Sequence, residues 1–491
     1  VKCPLNPPYK FYLMVSAIAL MNLLISMDMT MMNLALNDIA KGFDIPVLKS
    51  QMVITVYYLT SAITFIVFGK LADYFGYKRV FLFGIIFFTI ASFIAGNAQS
   101  LNMLILARIL QGIGFGATLG LSSLLVVTQS PSHKKGIACS LLISVSSIGQ
   151  ILGPTVGGYI IHYWGWSWTF LINVPVGIIS FLGSYYFTQN DKKENLGTLN
   201  IKEIILFLLG TGGLLSAITL YQEISWDQSL LLISVGVLSI GYYINQYKSL
   251  KLPLIENNIL KNKEFIRIVA IRFSYMVFVG AWLYFMPIYL QNNLNYSVQA
   301  TGSILLTMSL IVASSSLFIG KMIDRFGYQY MLLISVVAIQ ITGMIMFGIF
   351  NGFYSLIFLI AACVSIGFAI SFQGSASVIG INQVIKGNHK GAAMGVFYTS
   401  ALAGSCLGIS VGSYLVRELS SKKFKLLSNG MHYSKQLESM NLQYGKPTAL
   451  QITLNESLNY GLSIMFILFS LLVLFTMPLT IKLIRNQDFP V

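Results

Sequence analysis

Asp28 and Arg108 are residue types that do chemistry, placed where charge is costly. Asp28 stands within the apolar run 11–36 and Arg108 within the run 101–127. Of the 16 acidic residues, Asp28 alone lies deep inside such a run. An ionisable group among apolar residues costs several kcal/mol unless it is paired or meets water, which makes it a functional candidate by default. A carboxyl there can take up and release a proton, and a guanidinium beside it can hold the ionised form. At 1.5 Å per residue, Asp28 lies about 12 Å before the end of its run and Arg108 about 10 Å after the start of its own. Those ends face the same side when the spans alternate in direction, so the two can share a depth. A purely structural ion pair is the plainer alternative. Arg272 is the third charge of this kind, close enough to the start of its run, 265–290, for its side chain to snorkel out to water. Asn33, Gln111, Gln150, Asn173 and Gln373 are neutral polar residues in such runs. They could line a small-molecule cavity or simply join neighbouring helices by hydrogen bonds.

These residues must be positioned by membrane-spanning helices. The 491 residues are 56% hydrophobic and only 10% charged, so most of the chain belongs in lipid. Apolar tracts of spanning length recur at 11–36, 50–69, 80–98, 101–127, 137–161, 167–188, 202–222, 227–246, 265–290, 298–319, 329–350, 353–383, 391–416 and 458–481. The first tract is too long for a cleavable leader and is expected to be retained. A net charge of +15 would suggest nucleic acid in a soluble protein. Here most of the 31 basic residues fall in alternate connectors, including Lys70, Lys78, Arg79, Lys134, Lys135, Lys321, Arg325 and Lys482. That asymmetry puts both termini in the cytoplasm and excludes a nucleic-acid partner from the reading. The long hydrophilic segment 417–457 then lies outside.

Other chemistries find little support. Cys3, Cys139, Cys363 and Cys406 have no paired spacing, and His133, His162, His389 and His432 lie in or near loops, so neither a metal site nor a cofactor is expected. No GxxxxGKS/T loop is present to bind ATP. Asp28 has no second acid or nucleophile near it within a tract, which argues against an enzyme.

Internal repetition supplies the organisation. Gly69-Lys70-Leu71-Ala72-Asp73-Tyr74-Phe75-Gly76-Tyr77 returns as Gly320-Lys321-Met322-Ile323-Asp324-Arg325-Phe326-Gly327-Tyr328. Gly149, Gly153 and Gly157 return at nearly the same separation as Gly404, Gly408 and Gly412. Two such echoes predict a duplication. Residues 1–188 form one six-helix half, 264–491 the other, and 189–263 a connector carrying two additional spans. In each loop motif the glycines permit tight turns, Asp73 and Asp324 can meet helix N-termini, and Lys78 with Arg79 suit an anionic membrane surface. Glycines four residues apart, together with Pro154 and Gly158, leave a helix face on which another backbone can pack closely.

These motifs resemble the major facilitator superfamily, and within it the fourteen-helix drug:proton antiporter branch. GKLADYFGYKR (69–79) looks like its loop signature, LARILQGIGFG (106–116) like its fourth-helix signature and GQILGPTVGG (149–158) like its antiporter motif. WSWTFLINVPVG (166–177) and DMTMMNLAL (28–36) are similar to sequences typical of the branch, with Asn37 where a proline is usual. The resemblance implies an all-α membrane protein of the major facilitator fold: two six-helix bundles plus two extra central helices, in the inner membrane. It implies export of small lipophilic or cationic molecules, drugs or toxins, in exchange for protons by alternating access. Asp28 and Arg108 would couple protons, while Asn33, Gln111, Gln150, Arg272 and Gln373 would line the substrate cavity. Gly69, Asp73, Gly76, Lys78, Arg79, Gly320, Asp324 and Gly327 would form a conformational latch. The glycine face of the antiporter motif would seal the cavity between halves. Some members of the branch work with a periplasmic adaptor and an outer-membrane channel, which makes these candidate partners. A dedicated exporter of an endogenous metabolite such as a siderophore, and a membrane sensor or scaffold on the same fold, are the competing expectations.

Overall fold

The computed structural model describes residues 8–130, 135–190, 201–220, 225–247, 259, 261–353, 355–385, 390–427 and 449–485. Among them the regular secondary structure is α-helix throughout. In chain order the helices are α1 (Pro8–Gly42), α2 (Val47–Ser50), α3 (Met52–Phe75), α4 (Tyr77–Gly96), α5 (Leu101–Gly116), α6 (Leu119–Gln129), α7 (Lys135–Trp164), α8 (Trp168–Leu171) and α9 (Asn173–Phe187). There follow α10 (Ile201–Thr219), α11 (Trp226–Tyr247), α12 (Lys263–Asn292), α13 (Val298–Phe326), α14 (Tyr328–Phe350), α15 (Leu356–Val384), α16 (Lys390–Leu427), α17 (Ala449–Leu474) and α18 (Met477–Arg485).

Helix occupies each of the fourteen expected positions. Among the described residues, 12 spans are long and apolar enough to cross a membrane, some combining two consecutive helices. The helices at the other two positions, α7 and α11, do not belong to that set over their described residues. Local chemistry explains several boundaries. Ser100, Ser297 and Ser355 cap α5, α13 and α15 by accepting from the amides of Met103, Ala300 and Ile357. Asn262 does so for α12 with the amides of Glu264 and Phe265. The two loop-motif turns are alike: Gly76 separates α3 from α4 at φ 94°, and Gly327 separates α13 from α14 at φ 86°. A side chain would be strained at either position, so both turns require glycine.

Some expected limits move. The tract 101–127 is divided between α5 and α6, and 458–481 between α17 and α18. The segment 417–457 is not loop from its start, because α16 continues to Leu427 and α17 begins at Ala449. Ser420 and Phe424 are fully buried, and Gly461 lets α17 approach the backbone of Val416, so packing sustains α16 beyond its apolar tract. The stretch 428–448 lies outside the described residues.

The glycine faces pack one helix pair in each copy of the repeat. A Cβ at Gly149 would meet the Leu23 carbonyl at 2.5 Å, and one at Gly153 would meet the Met27 carbonyl at 2.8 Å and collide with Thr30 Oγ1. One at Gly157 would strike Met31. These three glycines therefore seat α7 on α1. Gly404 and Gly408 likewise lie against the carbonyls of Phe273 and Val277 and seat α16 on α12. Gly158 and Pro154 meet α13 instead, at Val298 and Gly302. A second seam runs between α3 and α16. Along it Ser413 donates to Gln51, Thr399 Oγ1 donates to the Ala62 carbonyl at 3.0 Å, and the rings of Phe65 and Tyr398 stack at 5.1 Å. Helix α10 reaches this seam through Phe207, which packs with Ile66, Val67 and Val396, while α11 packs on α10.

Candidate functional site

Asp28 and Arg108 meet directly. Arg108 Nη1 donates to Asp28 Oδ2 at 2.8 Å, and both residues are only 1% exposed. The carboxylate's other oxygen accepts from Asn173 Nδ2 at 3.0 Å. Arg108 also donates through Nε to the Val53 carbonyl at 2.9 Å and through Nη1 to Gln111 Oε1 at 3.0 Å. Gln111 Nε2 in turn donates to Ser92 Oγ at 2.7 Å. The guanidinium lies 4.0 Å from the centre of the Tyr57 ring and 5.6 Å from that of Phe170, each a favourable face for a cation. Six helices, α1, α3, α4, α5, α8 and α9, thus close on one neutralised pair. Buried charges are stable only when paired and hydrogen-bonded in this way. Two atoms of the shell keep unused capacity: Asn173 Oδ1 and the Tyr57 hydroxyl are buried without a partner.

Arg272 has a different setting. It lies on α12, and among the described residues it has neither ion-pair nor hydrogen-bond partner; its Nε is buried. Its guanidinium carbon is 5.7 Å from the ring of Tyr275 and 5.3 Å from that of Phe397.

The remaining sequence-predicted residues are scattered. Gln373 is fully buried, accepting from Ser335 Oγ at 3.2 Å while its own amide nitrogen lacks a partner. Asn33 turns back on its own helix, donating to the carbonyls of Met29 and Thr30. Gln150 is exposed, and only its backbone carbonyl is engaged, by Thr30. In the loop motif, Lys78 Nζ donates to the carbonyls of Tyr185 and Thr188 at 2.8 and 2.6 Å, where α9 ends. That is a favourable end of a helix for a cation. The sequence had placed Lys78 at the membrane surface. Arg79 is exposed, a Cβ at Gly69 would meet open space, and the side chains of Asp73 and Asp324 and the surroundings of Gly320 fall outside what is described.

Sequence reasoning missed Ser92, Tyr57 and the Val53 carbonyl, which complete the Arg108 shell. It also missed the meeting of Asn37 with Gln291 and Asn292. There Asn37 Nδ2 donates to Gln291 Oε1 at 2.8 Å and to Asn292 Oδ1 at 2.9 Å, joining the ends of α1 and α12. The only available signal was Asn37 itself, the residue that departs from the motif.

The sequence profile of the Major Facilitator Superfamily matches residues 18–413. The chain belongs to the Major Facilitator Superfamily. As a superfamily member it is a multi-pass membrane transporter that acts on small molecules within a lipid bilayer. It is 27% identical over 332 residues to the "Putative multidrug resistance protein MdtD" of Klebsiella pneumoniae subsp. pneumoniae, covering 67% of this chain and 70% of that one. It is 30% identical over 309 residues to the protein of the same name from Yersinia pestis, covering 62% and 66%. The fold matches the crystal structure of a bacterial homolog to the human lysosomal transporter Spinster, in an inward-facing and unoccupied conformation. The TM-score is 0.67, with 12% identity, over 99% of this superfamily member and 100% of the other chain.

Proposed function

We propose that this protein is an inner-membrane exporter of lipophilic small molecules, drugs and toxins among them, driven by exchange for protons at Asp28. The observation that carries the reading is a buried carboxylate whose two oxygens are held by Arg108 and Asn173, with no other acid in its hydrogen-bond network. Such a group can hold one proton or none, and its two states differ in charge at the centre of a low-dielectric bundle. The relatives' names supply the multidrug element. Of the lipophilic and cationic substrates anticipated from the sequence, Asp28 favours the first, because its carboxylate is already neutralised and leaves no free charge for a cation.

In this reading α7 and α11 cross the membrane with the other twelve spans, and both termini are cytoplasmic. Residues 1–188 and 264–491 are the two moving halves, and 189–263 is an insertion. The halves rock about the α3–α16 and α7–α13 seams. The turns at Gly76 and Gly327, with Asp73 and Asp324, act as latches, while Pro154 and Gly158 close the α13 side. In a double-membraned cell a periplasmic adaptor and an outer-membrane channel would carry the substrate onward. One proton moving down 100 mV releases about 2.3 kcal/mol, close to the roughly 2.7 kcal/mol that a hundredfold gradient of a neutral solute requires.

The test is reconstitution in liposomes, using a substrate found by comparing drug and dye tolerance in cells with and without the protein. Wild-type protein should move it uphill under an imposed pH gradient. Asp28→Asn should lose uphill movement while keeping downhill exchange of labelled for unlabelled substrate. Uphill movement by Asp28→Asn would remove Asp28 from the mechanism.

A further inference from the structure

We infer that Arg272 is an anion-recognition subsite, and that the transported molecules carry a carboxylate, sulfonate or phosphate group on an aromatic or otherwise apolar body. The inference rests on the reading of the chain as an exporter and names the charge of its substrate.

A guanidinium inside a membrane protein is tolerated when something compensates it. Arg108 shows how this chain does so, with a carboxylate at 2.8 Å, two oxygen acceptors and a ring. Arg272 has the rings of Tyr275 and Phe397 and no acceptor among the described residues. Cation–π contact contributes about 0.5–2 kcal/mol, less than the several kcal/mol that a cation at membrane depth costs. Arg272 lies nine residues past the first residue of α12, about 14 Å along the helix; its Nε is buried while the residue as a whole is half-buried, so depth keeps the guanidinium from the full hydration of a surface cation.

The place suits a ligand. Phe397, whose ring faces the guanidinium, adjoins Tyr398 on α16, and Tyr398 stacks on Phe65 of α3. Thr399 and Gly395, on either side, touch Ala62 and Ile66 of α3. Arg272 therefore stands beside the seam between the proposed halves, where a bound molecule can be held by both and released when they part. A guanidinium offers parallel N–H donors matched to carboxylate, sulfonate or phosphate oxygens. The neighbouring aromatic rings match an apolar body. An anionic lipid headgroup has the same charge chemistry, and its effect is separated in the test.

The test is equilibrium binding of fluorescein and 1-naphthalenesulfonate to the full chain in phosphatidylcholine nanodiscs, read by fluorescence. Wild-type protein should bind at least one of them, and Arg272→Gln should weaken that binding about tenfold or more, the loss expected for hydrogen bonds to a charged partner. Arg272→Lys should fall between them, keeping the charge and losing the fork. Rhodamine 6G, a cation with a ring system related to that of fluorescein, should compete poorly. Failure of wild-type protein to bind either anion, equal binding by Arg272→Gln, or equal competition by rhodamine 6G would overturn the inference. So would Arg272-dependent displacement of the anion by phosphatidylglycerol added to the nanodiscs, which would assign the site to lipid. Unfolding of Arg272→Gln would move the decision to Arg272→Lys, where undiminished affinity overturns the proposal. Binding needs no proton gradient, so this result stands or falls separately from the outcome for Asp28→Asn.

Discussion

The helix pairs α1/α7 and α12/α16 are packed by the same device and carry opposite electrostatics. In each, glycines four residues apart on the later helix admit the backbone of the earlier one: Gly149 and Gly153 on Leu23 and Met27, Gly404 and Gly408 on Phe273 and Val277. On α1 that packing supports Asp28, whose charge is cancelled by Arg108. On α12 it supports Arg272, whose charge is cancelled by nothing described. A repeated scaffold thus fixes where helices lie and leaves the chemistry of each lining position free to diverge. In this structure one pair holds its counter-charge, and the other has none among the described residues.

The comparison is tested most severely by removing one charge from each pair. Asp28→Asn leaves Arg108 buried with only the Val53 carbonyl, Gln111 and aromatic faces around it, and should destabilise the protein by about 3–5 kcal/mol. Asn is nearly isosteric with Asp, so the loss would come from the uncompensated charge of Arg108 and not from packing. Adding Arg108→Gln should restore most of the stability without restoring uphill transport. Arg272→Gln without ligand should cost nothing or raise the unfolding temperature, since it removes a charge that has no partner among the described residues. Thermal unfolding of the wild type and these three variants in one detergent is sufficient. Equal losses for Asp28→Asn and Arg272→Gln would mean that Arg272 has a counter-charge after all.

The shared packing predicts equal sensitivity where the charges predict a difference. Gly153→Val and Gly404→Val would each drive a side chain into backbone that cannot yield, the Met27 carbonyl at 2.8 Å and the Phe273 carbonyl at 2.5 Å from the new Cβ. Each should cost about 1–3 kcal/mol, the usual penalty for overpacking. Denaturation showing a large loss at one position and none at the other would end the equivalence of the two pairs.

Much of this was legible in the sequence because it depends on single residues. The depths of Asp28 and Arg108 follow from counting along apolar tracts, and the turns at Gly76 and Gly327 from a motif that occurs twice. Contacts between distant segments were not legible. Nothing about Ser92 marks it as the serine whose hydroxyl accepts from Gln111, since serines are common in the spans and the choice depends on how α4 is rotated against α5. For the same reason Asn33, Gln150 and Gln373 could not be sorted in advance, and the first proves to be bonded to its own helix. In the sequence Lys78 looks like a membrane-surface charge, because a positive loop residue usually is one. The carbonyls at the end of α9 that receive it are more than a hundred residues away in the chain.

The smallest effect expected concerns Asn37, which links the two helices being compared. Its amide nitrogen, 2.8 and 2.9 Å from Gln291 and Asn292, ties the end of α1 to the end of α12 on the side assigned to the exterior. If the two halves part there during transport, these bonds exist in one conformation and are lost in the other. Partly buried neutral hydrogen bonds contribute about 0.5–1.5 kcal/mol each, so Asn37→Ala should change overall stability little. Losing both should shift the balance between conformations by about fivefold or more toward the outward-open form. A spin-label pair placed on Asp44 and Asn295, near the two helix ends, should show the longer distance more often in Asn37→Ala than in the wild type. Asn37→Asp, which keeps an acceptor for Asn292 Nδ2 but loses the donor, should behave like Asn37→Ala. An unchanged distance distribution in both variants would make the cluster ordinary packing and leave α1 and α12 coupled only through the bundle.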